Sequence, residues 1–239
     1  MSILTIKEMF EANVHFGHKI SRWNPKMLQY IYITKNGMHI IDLRKTIVLM
    51  NKAISFIYDV KSKGGNILFV GTKKQARDVI IKFHNKTDSF AIYNRWLGGM
   101  LTNFETIKKS IHRMKKLDAL VKNKVIGQLS KKEASFLNRD LLKLKKNLLG
   151  VRNMQNLPEA IFVIDPFYER IAVKEAETLN IPIIAMVDTN CNPDLITYPI
   201  PANDDSVKSI TFFIDKITKA YLEGQEHFIN AQKKDLNNG

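Results

Sequence analysis

The sequence predicts an α/β protein: an open parallel sheet covered by helices, into which an antiparallel helical hairpin is inserted. Three observations carry that expectation. Two short apolar runs, Asn66-Ile67-Leu68-Phe69-Val70-Gly71 and Ala160-Ile161-Phe162-Val163-Ile164-Asp165, are each followed by helix signals, as strands buried on both faces are. Between them lie two long apolar stripes at helical seam spacing. The 37 basic residues outnumber the 23 acidic ones, for a net charge of +14.

In chain order, the first expected element is a hairpin. Lys35-Asn36-Gly37 reads as a tight turn between Tyr30-Ile31-Tyr32-Ile33 and Met38-His39-Ile40-Ile41, because Asn-Gly accepts the positive φ such turns need. After the strand at 66–71, Thr72-Lys73-Lys74-Gln75 has the pattern of a capping box that opens a helix running to about Lys86. Ala91-Ile92-Tyr93 adds a short strand. Beyond the strand at 160–165, Glu169 to Leu179 has helical composition and stops before Ile181-Pro182. Ile183-Ile184-Ala185-Met186-Val187 is a third buried strand, and Tyr198-Pro199-Ile200 suits a sheet edge, where a proline's missing N–H is tolerated. Val207, Ile210, Ile214, Ile217 and Tyr221 recur at steps of three and four, giving a helix with one apolar face. Asn203-Asp204-Asp205-Ser206 precedes it and is expected to cap its positive end.

Phe104, Ile107, Ile111, Met114 and Val121 form one hairpin stripe, and Ala134, Leu137, Leu141, Leu144 and Leu148 the other. Lys122 to Lys132 separates them, and Ser130-Lys131-Lys132-Glu133 restarts a helix with a capping box. The expected organisation is one α/β domain from residues 1–103 and 150–223, an inserted hairpin at 104–149, and a loose polar tail at 224–239. The hairpin's outer faces carry Lys108, Lys109, Arg113, Lys115, Lys116, Lys131, Lys132, Arg139, Lys143, Lys145 and Lys146. Solvated helices ordinarily mix charge signs more evenly, so this surface points to a polyanion.

No apolar run reaches the roughly 18 residues that span a bilayer, and Met1 to Glu11 carries both charges without an apolar leader core. A single cysteine, Cys191, fits a reducing compartment. The expectation is a cytosolic chain, an organelle with its own translation fitting equally well.

Two segments join cations to an indole. In Arg95-Trp96-Leu97-Gly98-Gly99, Arg95 offers a phosphate fork, while Trp96 either stacks on a base or fills a strand-to-helix corner. In Lys19-Ile20-Ser21-Arg22-Trp23-Asn24-Pro25-Lys26, the cations can neutralise phosphates, and Trp23 either stacks or tucks inward. Lys73, Lys74 and Arg77 extend the basic surface. The loops G-x-x-x-x-G-K-[ST], G-x-G-x-x-G and G-x-S-x-G are absent, and nothing in the sequence activates Cys191, so no enzyme is expected. The rivals are a phosphorylated ligand held by Gly71 to Lys74 and Asp188 to Asn190, and a coiled coil that engages an acidic protein or lipid. In His15-Phe16-Gly17-His18, two imidazoles three apart can chelate zinc with Asp188, Cys191, Asp204 or Asp205, or hydrogen-bond within a Gly-containing turn. No other cofactor is expected.

Taken together, Val14-His15-Phe16-Gly17-His18, Trp23-Asn24-Pro25-Lys26-Met27, His39-Ile40-Ile41-Asp42-Leu43, Leu68-Phe69-Val70-Gly71-Thr72-Lys73, Arg95 through Phe104, Leu157-Pro158-Glu159-Ala160, Val187-Asp188-Thr189-Asn190 and Asn203-Asp204-Asp205 resemble the signatures of a known family in their usual order. That family is the second protein of the small ribosomal subunit in its bacterial and organellar form. The resemblance implies a flavodoxin- or Rossmann-like domain with a protruding coiled-coil hairpin and no enzymatic activity. It implies a place at the head–body junction, with contacts to small-subunit ribosomal RNA and neighbouring ribosomal proteins. It further implies a part in docking the large messenger-binding ribosomal protein, with no membrane partner and no homo-oligomer. The expected RNA-binding residues are Lys19, Arg22, Trp23, Lys26, Lys73, Lys74, Arg77, Arg95, Trp96, Lys108, Lys109 and Arg113. The candidate metal ligands are His15, His18, Asp188 and Asp204.

Overall fold

A small antiparallel sheet opens the chain. In the computed structural model, which describes residues 4–123 and 130–238 and the side chains of the last helix through 234, a short helix α1 (Ile6–Glu11) leads into β1 (Phe16–Lys19). Strands β2 (Ile31–Lys35) and β3 (Met38–Ile41) form the expected hairpin, with φ of 51° at Asn36 and 75° at Gly37. Strand β1 joins as a third member in the order β1-β3-β2, so Phe16-Gly17-His18 is strand rather than turn. Gly17 is needed because a Cβ there would lie 2.6 Å from Thr189 Cγ2. Asp42 caps helix α2 (Leu43–Ser62), which lies where the periodicity raised no expectation of a helix.

The remaining elements alternate strand and helix: β4 (Ile67–Val70), α3 (Lys74–Thr87), β5 (Phe90–Ile92), α4 (Phe104–Lys122), α5 (Lys131–Leu148), β6 (Ala160–Ile164), α6 (Arg170–Thr178), β7 (Ile183–Val187), β8 (Tyr198–Pro201) and α7 (Val207–Asn238). The strands pair in parallel in the order β5-β4-β6-β7-β8, a doubly wound sheet of the Rossmann-like kind. Alternate residues point to opposite faces. Phe69, Phe162, Ile184 and Ile200 meet α2, α3 and α7, while Leu68, Val163, Ala185 and Val187 meet α6, the start of α4 and the Trp96 corner. The order reverses between β4 and β6, whose C-terminal ends therefore form the crevice where such sheets usually take ligands.

Four expectations are corrected. Thr72 caps nothing: α3 begins at Lys74 after Lys73 without a side-chain cap, and the Thr72 N–H instead donates to Glu169 Oε1 at 2.7 Å. The residues after Glu223 continue α7 instead of trailing loosely. A Cβ on Gly224 would lie 2.9 Å from Tyr58 O on α2, and Phe228 packs on Gly64, so this stretch is held against α2. Val207 is exposed and Phe213 takes the buried position. Val121 is exposed too, the α4 stripe being completed by Leu117.

Helices α4 and α5 do pack together, burying Ile107, Ile111, Met114, Leu117, Leu141 and Leu148. Their ion pairs are Arg113 with Asp140 at 2.6 Å and Asp118 with Lys145 at 2.5 Å, and Asp118 also meets Arg152 at 3.2 Å. These partners rise together along both helices, whereas a full-length antiparallel seam would match rising numbers with falling ones. The expected Gly127 turn lies outside the described residues.

Candidate nucleic-acid interface

The crevice at the switch point is filled by the protein's own charges. Lys73, just beyond β4, reaches Asp165 at 2.9 Å, Asp204 at 2.8 Å and Asp205 at 2.5 Å. Burial opposes charge on Lys73, but the three carboxylates outweigh it and hold the ammonium above its ordinary pKa. Burial, with Asp188 and Asp165 nearby, pushes Asp204 well above the usual carboxylate range against the pull of Lys73. The Lys73 ammonium, expected to meet phosphate, is thus already engaged by two buried acids, Asp165 and Asp204, and by the exposed Asp205. The segment Asn203-Asp204-Asp205-Ser206 caps α7 as expected, but through Ser206, whose Oγ accepts the Ser209 N–H at 3.4 Å, and not through its carboxylates; Asn203 Oδ1 takes the N–H groups of Asp205 and Ser206.

Of the two readings of Trp96, its burial favours the strand-to-helix corner. Trp96 is only 7% exposed, and its Nε1–H donates to Glu175 Oε1 at 3.0 Å. The Glu175 carboxylate also accepts the backbone N–H groups of Gly99 at 2.8 Å, Leu101 at 2.9 Å and Thr102 at 3.1 Å, with the Thr102 hydroxyl at 3.2 Å. Burial alone would raise the Glu175 pKa, but this shell of donors holds it below the usual range. Gly99 has φ 82°, so the Gly pair serves the turn around Glu175. Sequence reading missed this acid, although a lone Glu among buried Ala172, Val173 and Ala176 is the sign of an anchored carboxylate.

The histidine pair separates. His18 Nδ1 lies 3.0 Å from Asp188 and its Nε2 3.4 Å from Asp205, and the bond to Asp188 outweighs burial to raise its pKa. His15 is buried between the rings of Phe10 and Phe16, and burial lowers its pKa. Among the described residues, His18, Asp188 and Asp204 offer three ligand atoms within 4.8 Å of one another, as do Asp165, Cys191 and Asp204. A two-imidazole site is thus corrected to one imidazole among carboxylates. Burial raises the Cys191 thiol pKa, which disfavours the thiolate a metal needs.

The remaining candidates lie outward. Lys19, Arg22, Lys74, Arg77, Arg95 and Lys109 are exposed and have no carboxylate partner among the described residues. Lys26 pairs with Asp194, Lys108 with Glu105 at 2.9 Å, and Arg113 with Asp140. Trp23 is half-buried, its ring 5.1 Å from that of His39, so one face is engaged internally. Asp42, Asp118, Asp165, Glu169, Glu175, Asp188 and Asp204 are all buried, which leaves the surface more basic than the composition suggests.

The family model described as Ribosomal protein S2 matches residues 9–224. Small ribosomal subunit protein uS2 of Desulforapulum autotrophicum is 48% identical over 232 residues, covering 97% of this chain and 83% of the relative. The protein of the same name from Solidesulfovibrio magneticus is 48% identical, covering 99% and 90%, and that from Geotalea uraniireducens is 50% identical, covering 94% and 88%. With an indrawn set of acids, an outward set of cations and this identity along almost its whole length, the chain belongs to the ribosomal protein S2 family, a structural and non-enzymatic family of the small ribosomal subunit.

Proposed function

We propose that this chain is a spacer and docking platform at the head–body junction of the small subunit, where its exposed cations bind phosphates of folded ribosomal RNA. The carrying observation is the segregation of charge: seven acids are buried while Lys19, Arg22, Lys74, Arg77, Arg95 and Lys109 stand in water. Lysines read phosphates and RNA shape rather than base edges, and each contact releases counterions. In filter binding to small-subunit RNA, log affinity is expected to fall steeply and linearly with log salt. Replacing Lys109, Lys116 and Lys143 together by Ala reduces that slope by about three. A flat salt response contradicts the reading.

The same platform seats neighbouring proteins. An open groove of about 390 Å³ is lined by Ile6, Phe10, His15, Tyr32 and Arg44, with Phe10 and Tyr32 left exposed. Exposed apolar grooves of this kind suit protein contacts. This groove is our choice for the large messenger-binding ribosomal protein. Tyr32→Asp should weaken that protein's association with reconstituted subunits and leave RNA affinity unchanged.

A further inference from the structure

The segment that leaves β6 turns its two acids inward and its two rings outward. Asp165 adopts a left-handed backbone, φ 63°, and its Oδ1 accepts the N–H of Tyr168 at 2.9 Å while Oδ2 meets Lys73. Three residues after Pro166, the buried Glu169 carboxylate takes the Thr72 N–H. Both acids are thereby pinned to the end of β4. Between them Phe167 and Tyr168 project into solvent, 61% and 59% exposed, followed by exposed Arg170 and Ile171. Lys74 and Arg77, exposed at the start of α3, lie just beyond Thr72 on the other side of that hydrogen bond. Folding alone gives no reason to hold two adjacent rings in water on a strained corner.

We propose that Phe167 and Tyr168 form a stacking platform for unpaired RNA bases, with Arg170, Lys74 and Arg77 on the adjoining phosphates. This rests on the RNA-binding reading above and extends it. The lysines of α4 and α5 meet the backbone of folded RNA, whereas this corner takes single-stranded nucleotides, because a ring can stack only on a base face left uncovered. Charge complementarity selects RNA over an apolar protein segment: Arg170 follows the rings in the chain, Lys74 and Arg77 stand exposed on the segment that Glu169 ties to this corner, and the acids of the corner are sequestered.

The test uses the full chain and two probes at one ionic strength: a mixed-sequence RNA of about 12 nucleotides without self-complementarity, and a duplex of similar length. The Phe167→Ala/Tyr168→Ala variant should lose roughly tenfold or more on the unpaired RNA and nothing on the duplex. The Phe167→Tyr/Tyr168→Phe variant, which keeps both rings, should bind both probes as the parent does. Equal losses on both probes, or no loss on either, overturn the platform. So does a double alanine variant that binds both RNAs normally but fails to enter small subunits, since the rings would then face a protein. Failure of the parent chain to bind the duplex or small-subunit RNA at low salt would instead remove the underlying RNA-binding reading.

Discussion

Glu175 holds Trp96: the carboxylate accepts the indole N–H at 3.0 Å and at the same time gathers three backbone N–H groups from the turn that follows. The anion at the centre of this Trp-Gly-Gly corner is thus supplied by α6 and not by RNA. It fixes where β5 gives way to α4, and so fixes how the basic helices leave the sheet.

Removing that carboxylate leaves several buried donors without a partner. Glu175→Ala is expected to destabilise the chain by about 3 kcal/mol in urea unfolding, with Glu175→Gln intermediate because an amide oxygen still accepts. A change below roughly 0.5 kcal/mol would mean that water replaces the acid freely.

The same group sets part of the acid limit. Its folded pKa lies below the ordinary 4.5, so its contribution is complete above that value and is lost as pH falls through the folded pKa. Stability measured from pH 6 downward should therefore fall less steeply in Glu175→Gln than in the parent. Parallel curves would refute the linkage.

Lys73 separates a structural from an RNA-binding role. Lys73→Met strips the cation from Asp165, Asp204 and Asp205, and the uncompensated carboxylates should cost about 3 kcal/mol or more. The folded fraction should keep its RNA affinity, read by filter binding after correction for unfolded protein. A large loss of affinity in fully folded variant would return Lys73 to the interface.

Gly150 marks the tightest backbone approach at the base of the inserted helices. A Cβ there would lie 2.1 Å from the Ala91 carbonyl oxygen on β5, a clash that side-chain movement cannot relieve. Gly150→Ala should cost roughly 2 kcal/mol or more, read as a lowered melting temperature. Gly98→Ala, where a Cβ meets nothing within 4 Å, is the control and should stay within about 0.5 kcal/mol of the parent.

Much of the fold was legible because it follows from local pattern. Residues 67–70, 160–164 and 183–187 are short and apolar without alternation, as suits a strand covered on both faces, and Asn36-Gly37 supplies a turn by its own backbone preference. Helix α2 was missed: its buried Thr46 and Lys61 interrupt the apolar face, and their bonds to Pro201 O and Gly65 O are invisible along the chain. The outward cations were also legible, since charge is a property of composition.

By itself, then, the sequence determined the layer architecture, the family and the excess of positive charge, each set by residue type and spacing. Only the tertiary structure decided which charged and aromatic groups face outward. Lys73 and Trp96 have the same local chemistry as Lys74 and Trp23, yet they are taken up by acids 79 to 132 positions away, Glu175, Asp165, Asp204 and Asp205. Burial without a partner is costly for any charge, so partners brought together by the sheet, and not neighbours in sequence, determine what is left to bind.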